Sequence, residues 1–412
     1  MKLTISEFEK LSIAAQRNER GKCITSEDAL ALLRLSVDGQ VVFKSGTNCI
    51  IAQQWVGVVY LQNLTVEILP KIAKSHSSQQ VRQILLRMLL MAENISFNPS
   101  FTGSAGKSKC DFSLLLVLNL IEQIDKYLKK GLIGSYEKDE FISPVIKGRV
   151  DIRTFFQPVL PVRFRCFFSK YSQDNTINRI LKYSLLLIYS DPHFSILKKR
   201  VRKILSSFTH VSSIAEKLPE HITFNSVNHR AKYAVNLAQL FIKRFALSNT
   251  IGEHQIKTFL LDMNRLYENF IFSCFKRIYK NSVHYQWTSK SFLSDSSNKE
   301  YIKLRPDIAY FDRKELIFID TKWKLFKNFP SVSDVYQMAA YLTAYKEVKV
   351  AVLLFPFNVQ PGRIEGFYRL NISSPIPKHI YVAFIDLTQI DSWDRFSHQL
   401  KQILQTAMLV GK

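Results

Sequence analysis

The fold is decided by residues 305–322, which read RPDIAYFDRKELIFIDTK. The apolar residues in and around this stretch predict one strand over 301–311 and a second strand over 315–320. The polar residues between them, 312–314, predict a tight turn. The stretch therefore indicates two adjacent strands with acidic residues near their ends.

This pair of strands places two carboxylates, Asp307 and Asp320, where they can converge on one cation. Mg²⁺ prefers oxygen ligands and keeps several waters, so these carboxylates, with a backbone carbonyl such as that of Thr321, suffice as its protein ligands. Lys322 lies on the same strand face as Asp320, because side chains alternate along a strand. It can position an attacking water or stabilise charge on a phosphoryl group. The pattern predicts phosphodiester hydrolysis, against the plainer alternative of a salt bridge at a strand edge.

Two helices on either side of these strands carry further candidate residues. The upstream helix, predicted over 258–280, contains Glu268, which we assign to the catalytic group. The downstream helix, predicted over 332–346, carries Gln337 and Tyr341 four residues apart and therefore on one face. We expect these two to support the metal strands or to contact the DNA backbone. A solvated charge for Glu268 and a core aromatic for Tyr341 are the alternatives, but their order along the chain favours the functional interpretation.

The chain of 412 residues exceeds the usual size of one hydrophobic core, so two domains are expected. We predict the fold class as α+β or α/β, with a β-rich and helical amino-terminal region at 1–247 and a carboxyl-terminal domain at 248–412. The polar segment 247–253 is the predicted boundary. The carboxyl-terminal elements form an α-β-β-β-α-β order, which indicates a mixed sheet flanked by helices. Other predicted strands lie at 41–43, 50–51, 56–61, 66–69, 283–287, 348–355 and 379–386, and other predicted helices at 79–94, 112–130, 174–190, 229–247 and 392–408.

Charge and cysteine content limit the classes of partner and compartment. The chain has 57 Lys and Arg against 34 Asp and Glu, a formal net charge of +23. Such an excess attracts polyanions, which indicates nucleic acid, although basic membrane-binding and ribosomal proteins share it.

The five cysteines are scattered without a C-x-x-C pair, which argues against a disulfide framework or a zinc site. No signal peptide or membrane span is visible, so we expect a cytoplasmic protein without a membrane partner. The basic run at 198–203 is typical of a solvated helix face, with a contact to nucleic acid or to a protein partner as the alternative.

Residues 259–345 resemble the nuclease domain of the McrC family, the endonuclease subunits of McrBC modification-dependent restriction systems. That family belongs to the PD-(D/E)XK superfamily, and the phrase at 336–341 also resembles the Q-x-x-x-Y element of RecB-like nucleases. The matching phrases are FLLDMNRLYE at 259–268, LRPD at 304–307, IDTK at 319–322 and YQMAAY at 336–341. Weaker similarity extends into the amino-terminal half at 56–59, 66–71, 147–149 and 174–179.

The resemblance implies a Mg²⁺-dependent endonuclease that cleaves modified double-stranded DNA together with an McrB-like AAA+ GTPase hexamer. It also implies that the amino-terminal region docks on that hexamer and stimulates its GTP hydrolysis. Basic positions such as Lys71, Lys147 and Arg149 are candidate contacts, against the plainer alternative of ordinary surface cations. GTP would be bound by the partner. Residues 103–108 look superficially like a P-loop, but Phe101 stands where that motif needs glycine, so we exclude nucleotide binding there. No role is assigned to the first thirty residues.

Two other functions remain open from the sequence. A stand-alone RecB-like repair nuclease would use the same metal chemistry without a GTPase. A non-catalytic adaptor of an AAA+ ring would keep the acidic motif as a structural ion pair, but the intact Asp307, Asp320 and Lys322 argue against it.

Overall fold

The computed structural model describes most of the chain. The residues outside its description are 72–75, 96–109, 152–162, 214–221, 246–248, 252–253, 289–290, 297–298, 313–314, 325, 327–328, 358–364, 373 and 412. The P-loop-like segment therefore lies outside the described residues, as do two residues of the turn predicted at 312–314 and part of the predicted boundary at 247–253.

Most α-helices of the described residues follow the predicted segments, with ends that differ by a few residues, whereas the helix at Ser26–Leu33 was not predicted. Three of them begin with a capping box, in which the N-cap and N3 side chains bond each other's backbone N–H groups. The helices are α1 (Ser26–Leu33), α2 (Ser78–Ala92), α3 (Phe112–Leu128), α4 (Thr176–Ser190), α5 (Lys198–Leu205), α6 (Lys232–Phe245), α7 (Met263–Tyr279), α8 (Val332–Ala344) and α9 (Trp393–Gly411).

The strands confirm the β-rich opening and the strand-rich carboxyl-terminal part, and they add short strands that periodicity did not predict. In chain order they are β1 (Lys2–Ser6), β2 (Lys10–Ile13), β3 (Cys23–Ile24), β4 (Ser36–Val37), β5 (Gln40–Val41), β6 (Phe43–Gly46), β7 (Cys49–Ala52), β8 (Trp55–Tyr60), β9 (Thr65–Leu69), β10 (Ser135–Ser143), β11 (Arg149–Val150), β12 (Phe164–Ser172), β13 (Asn249–Ile251), β14 (His254–Asp262), β15 (Val283–Tyr285), β16 (Ser291–Ser294), β17 (Glu300–Lys303), β18 (Ile308–Asp312), β19 (Glu315–Thr321), β20 (Val350–Pro356), β21 (Gly366–Leu370) and β22 (Lys378–Ile385).

The helix predicted over 258–280 is wrong in its first turn and a half. Residues 258–262 belong to β14, and α7 begins at Met263. β14 pairs antiparallel with β8, so tertiary pairing decides the conformation of an apolar run that fits either structure. Asp262 then caps α7, because its carboxylate accepts hydrogen bonds from the N–H groups of Asn264 (2.8 Å) and Arg265 (3.3 Å).

The chain divides into two compact units, the first formed by residues 1–115 together with 247–412 and the second by residues 116–246. In the first unit, one sheet has the strand order β1-β9-β8-β14-β13. Because β14 supplies a strand to that sheet, a cut at residue 247 would remove it from its partner β8. The functional division predicted at residue 247 stays a prediction.

A six-stranded mixed sheet in the first unit positions the candidate site. Its order is β15-β18-β19-β20-β22-β21, with parallel pairing between β19 and β20 and between β20 and β22. Apolar residues of α8 pack on the core that these strands form, and α7 and α9 also pack against the sheet. A mixed sheet flanked by helices is therefore present, as predicted.

The single strand predicted over 301–311 is divided in the structure. β17 ends at Lys303 and pairs with β16, whereas β18 begins at Ile308 and pairs with β15 and β19. Pro306 lies between them and has no N–H for a strand ladder, which accounts for the interruption. Asp307 therefore stands just before β18 instead of inside a strand.

The second unit contains a three-stranded antiparallel sheet, β10-β12-β11, and helices that include α4, α5 and α6. Within α5, Val201 and Ile204 are buried while the neighbouring lysines and arginines face solvent, as the sequence predicts for a solvated face. Across the described parts of both units, none of the helices combines the length and apolar character needed to cross a membrane.

Candidate active site

The register of β18 and β19 brings Asp307 and Asp320 together. Ile308 pairs with Ile319 in this antiparallel ladder, so the residue before β18 and the residue after Ile319 lie at the same end of the two strands. Asp320 is completely buried, and Asp307 is partly buried. The two carboxylates are therefore neighbours at one end of the hairpin, and their convergence on one cation stays a prediction.

Thr321 holds the carboxylate of Asp307 in place. The Thr321 N–H donates to Asp307 Oδ2 at 2.7 Å, and the Thr321 hydroxyl donates to the same oxygen at 2.8 Å. The Asp307 carbonyl accepts a further hydrogen bond from the N–H of Gln286 at 2.8 Å. Asp307 is fixed through both its side chain and its backbone, so it needs little reorganisation to act as a ligand.

Lys322, Asp320, Gln337 and Tyr341 form one connected polar network. The Lys322 ammonium pairs with Asp320 Oδ2 and donates to Gln337 Oε1 at 2.7 Å. The Gln337 amide donates to Asp320 Oδ1 at 3.1 Å and to the Tyr341 hydroxyl at 2.9 Å. Tyr341 in turn donates to the carbonyl of Arg305 at 3.0 Å. Gln337 therefore holds both Asp320 and Lys322, the acidic and the basic residue of the D-x-K pattern, in place.

Burial and charge together set the proton affinities of these groups. Burial raises the pKa of Asp320 to about 7, the charge of Asp307 adds to this, and the Lys322 ammonium opposes it. Burial also raises the pKa of Asp307, although the two hydrogen bonds from Thr321 lower it. For Lys322, burial lowers the pKa, but the negative charges around it outweigh this and raise the pKa above its ordinary value. Lys322 is therefore a cation at neutral pH.

Glu268 borders this network from α7. Its Oε1 accepts a hydrogen bond from the Gln286 side chain at 2.7 Å. Burial raises the pKa of Glu268, and the charge of Asp307 raises it further, so the two carboxylates lie within electrostatic reach of each other. Within the described residues, no three acidic, histidine or cysteine side chains come close enough to form a metal cluster. A cation here would rest on the Asp307 and Asp320 pair.

The two carboxylates fit a hard divalent cation. Asp320 Oδ2 is buried and, in the described part of the chain, has the Lys322 ammonium as its neighbour but no hydrogen bond of regular geometry. Two like charges that approach each other in a buried site are stabilised by a cation between them. Mg²⁺ keeps several waters, so two protein carboxylates can meet its requirements.

Sequence reasoning missed two residues that position the site, Gln286 and Asp334, and it named Thr321 only for its backbone carbonyl. Thr321 holds Asp307, Gln286 connects Glu268 to the Asp307 backbone, and Asp334 lies 3.9 Å from the Lys322 ammonium. The signal for Asp334 was available, since Ser331 and Asp334 form a capping box with the S-x-x-D spacing. Thr321 stands between the two functional residues of the D-T-K phrase, but a hydroxyl there has no recognisable pattern.

The remaining candidate contacts lie elsewhere. Lys147 and Arg149 are exposed in the second unit, and the Lys71 N–H donates to Glu7 Oε2 at 3.0 Å in the first unit. None of the three belongs to the network around Asp320.

A family model matches most of the chain. Residues 50–356 match the model described as McrBC 5-methylcytosine restriction system component. No curated protein matches the chain. A solved half-complex from a tetradecameric assembly of Thermococcus gammatolerans McrB AAA+ hexamers with bound McrC contains a chain 17% identical to this one, with a TM-score of 0.71, covering 98% of this chain and 100% of that chain. The cryo-EM structure of the Thermococcus gammatolerans McrBC complex contains a chain 18% identical, with a TM-score of 0.50, covering 67% of this chain and 88% of that chain. At these identities the two structures show a shared fold.

Proposed function

Since this chain belongs to the family of McrBC 5-methylcytosine restriction system components, we propose that it is the endonuclease subunit of such a system. It would hydrolyse phosphodiester bonds of modified double-stranded DNA while bound to a separate AAA+ GTPase. The observation that carries the proposal is the Gln337-centred network, which holds Asp320 and Lys322 beside Asp307. A structural ion pair at a strand edge does not require a partly buried amide bonded to both partners.

The proposed mechanism assigns a role to each of these side chains. Asp307 and Asp320 would hold Mg²⁺, which when bound lowers the pKa of a coordinated water and screens charge on the phosphate. Lys322 would orient the attacking water and stabilise the negative charge that grows on the phosphoryl oxygens. Gln337 and Tyr341 would keep Lys322 and Asp320 in position. Glu268 would complete the acidic side of the site, next to Asp307.

The order of elements supports a PD-(D/E)XK arrangement for this part of the chain. α7 precedes β15, β18 and β19, and α8 and β20 follow, which is the predicted α-β-β-β-α-β order around a mixed sheet. The candidate ligands stand at one end of the central β18–β19 hairpin. We assign the nuclease to this sheet and its helices.

We propose an McrB-like AAA+ GTPase hexamer as the partner, with GTP bound by that partner. One similar solved chain comes from a half-complex of McrB AAA+ hexamers with bound McrC, and the other comes from an McrBC complex, which supports this choice. The second unit exposes apolar side chains beside Lys147 and Arg149, a composition that fits a protein interface. The exposed apolar residues are Tyr136, Ile142, Val145, Ile146 and Tyr171. A net charge of +23 supports DNA as the second partner.

Purification of the chain with a candidate McrB-like AAA+ GTPase tests this proposal. We expect cleavage of methylated DNA that requires both Mg²⁺ and GTP, little cleavage of unmethylated DNA, and faster GTP hydrolysis when the chain is present. Cleavage without the GTPase and without methylation would favour a stand-alone repair nuclease. GTPase stimulation without any cleavage would favour a non-catalytic adaptor. We expect the assembly to work in the cytoplasm, where the free cysteines of the chain remain reduced.

A further inference from the structure

Glu7 is a buried acidic residue in the turn between β1 and β2, within the thirty residues that had no assigned role. Its side chain is 1% exposed. One partner is the Lys71 N–H, which donates to Oε2 at 3.0 Å. The other is the indole N–H of Trp323, at 3.0 Å from Oε2 and 3.2 Å from Oε1. Glu7 therefore joins the amino-terminal sheet to the segment that follows β19.

Trp323 directly follows Lys322, so the indole fixes the chain next to the candidate catalytic cation. Its ring packs against Tyr267, with centroids 5.3 Å apart, and Tyr267 precedes Glu268 on α7. On the other side, the Lys322 N–H donates to the carbonyl of Leu354 at 2.9 Å. The backbone at Lys322 is thus held by β20 through its N–H, and by Glu7 and Tyr267 through the indole of the next residue.

The turn that carries Glu7 is kept in a conformation that needs support. Phe8 has φ of 59°, in the left-handed region that residues with a side chain rarely adopt, and it is half exposed. The Glu7 N–H donates to the carbonyl of Leu69 at 3.0 Å, and the Phe8 N–H donates to that of Ala52 at 3.1 Å. Such a conformation persists only where the surroundings determine it, and here the result is a carboxyl group directed at Trp323.

A buried carboxyl group in this place costs free energy unless its hydrogen bonds compensate. Burial raises the pKa of Glu7 to about 8, the charge of Asp262 adds to this, and the hydrogen bonds from Lys71 and Trp323 oppose it. An apolar residue would close the turn without that cost but would leave the indole N–H and the Lys71 N–H without an acceptor.

We propose that Glu7 is a positioning residue for Lys322, acting through its hydrogen bond to the indole of Trp323. This inference rests on the proposed role of Lys322 in cleavage. It gives the first strands of the chain a function in catalysis, because they would set the place of a side chain more than three hundred residues away in sequence. Glu7 itself would touch neither DNA nor the metal.

The test compares Glu7→Ala, Glu7→Gln and Trp323→Phe in the full chain assembled with its GTPase. We expect Glu7→Ala and Trp323→Phe to lower kcat about 10-fold or more with KM for DNA unchanged, since a displaced catalytic group slows the chemical step. Glu7→Gln keeps an acceptor oxygen and should restore kcat to within about 3-fold of the wild type. Glu9→Ala is the matched control. Glu9 belongs to the same turn, but its partners are Lys22 and the Ser6 N–H.

Hydrogen–deuterium exchange of the same variants separates this inference from the proposed function. Glu7→Ala should speed exchange in the peptide that carries Lys322 and Trp323, and Glu7→Gln and Glu9→Ala should not. If the wild type cleaves no DNA but Glu7→Ala still loosens this peptide, the nuclease assignment fails and the physical link stands. Unchanged exchange in Glu7→Ala, or equal losses of kcat in Glu7→Ala and Glu9→Ala, would overturn the positioning role.

Discussion

Replacing Thr321 with valine removes one hydrogen bond from the candidate metal ligand Asp307 and leaves the shape of the side chain nearly unchanged. Thr321 is 8% exposed, so water cannot replace the lost hydroxyl without rearrangement. A hydrogen bond to a charged group contributes about 1.5–3 kcal/mol. The backbone N–H of Thr321 still donates to the same oxygen at 2.7 Å, so we expect a loss of about 1–2 kcal/mol in the free energy of unfolding.

Thr321→Val should also lower the affinity of the candidate site for Mg²⁺. The Thr321 hydroxyl lowers the pKa of Asp307, so its removal leaves a carboxyl group that holds its proton more tightly against a metal ion. Loss of a hydrogen bond to a metal ligand typically costs about 10- to 100-fold in metal affinity or activity. We therefore expect Thr321→Val to need about 10-fold more Mg²⁺ for half-maximal cleavage.

The assay is a titration of DNA cleavage with Mg²⁺, with urea denaturation of the same samples. Thr321→Ser is the matched control, because it keeps the hydroxyl and removes only the methyl group. The serine variant should follow the wild-type Mg²⁺ curve. Superimposable Mg²⁺ curves for the valine and serine variants would refute the idea that this hydroxyl tunes Asp307.

Three further predictions concern the Gln337 network, the ion pair of Glu67 with Arg82, and the buried Glu7. Gln337→Ala should lose most of the cleavage rate, because Gln337 contacts both Asp320 and Lys322, and Tyr341→Phe should lose only part of it. Normal cleavage rates in both variants at limiting DNA would mean that α8 has only a structural role. Glu67→Gln should cost about 3 kcal/mol in urea denaturation, since it leaves the buried Arg82 without its counter-ion, and a loss below about 1 kcal/mol would contradict this. Burial raises the pKa of Glu7 from 4.5 to about 8, so between these pH values the folded chain keeps a proton that the unfolded chain releases. The free energy of unfolding should therefore fall as pH rises from about 4.5 to about 8. Glu7→Gln should flatten the dependence of the free energy of unfolding on pH in this range. An unchanged slope would contradict the assignment of this pH dependence to Glu7.

Local spacing explains why much of the site could be predicted from the sequence. The two-residue period of a strand places Asp320 and Lys322 together, and the four-residue spacing in a helix places Gln337 beside Tyr341. The hairpin register then brings Asp307 opposite Asp320. Each of these relations depends on residues that are near each other in the chain.

The parts that escaped prediction depend on distant partners. The apolar run at 258–262 fits a helix or a strand, and β8, some two hundred residues upstream, makes it a strand. The hydrogen bond between Glu7 and Trp323 joins residues 316 positions apart, and no periodicity encodes such a pair. The interruption at Pro306 could have been expected, because proline cannot donate within a strand ladder.

The central claim is that Asp307, Asp320 and Lys322 form a single metal-dependent hydrolytic site. Its most direct test is Mg²⁺-dependent nicking of methylated plasmid DNA by the assembled complex, comparing the wild type with Asp307→Ala, Asp320→Ala and Lys322→Ala. We predict that each substitution abolishes nicking while the variant still folds and binds the GTPase, because the chemistry is local and its members act as a unit. Nicking at the wild-type rate in any one variant would remove that residue from the site, and wild-type rates in all three would contradict the account.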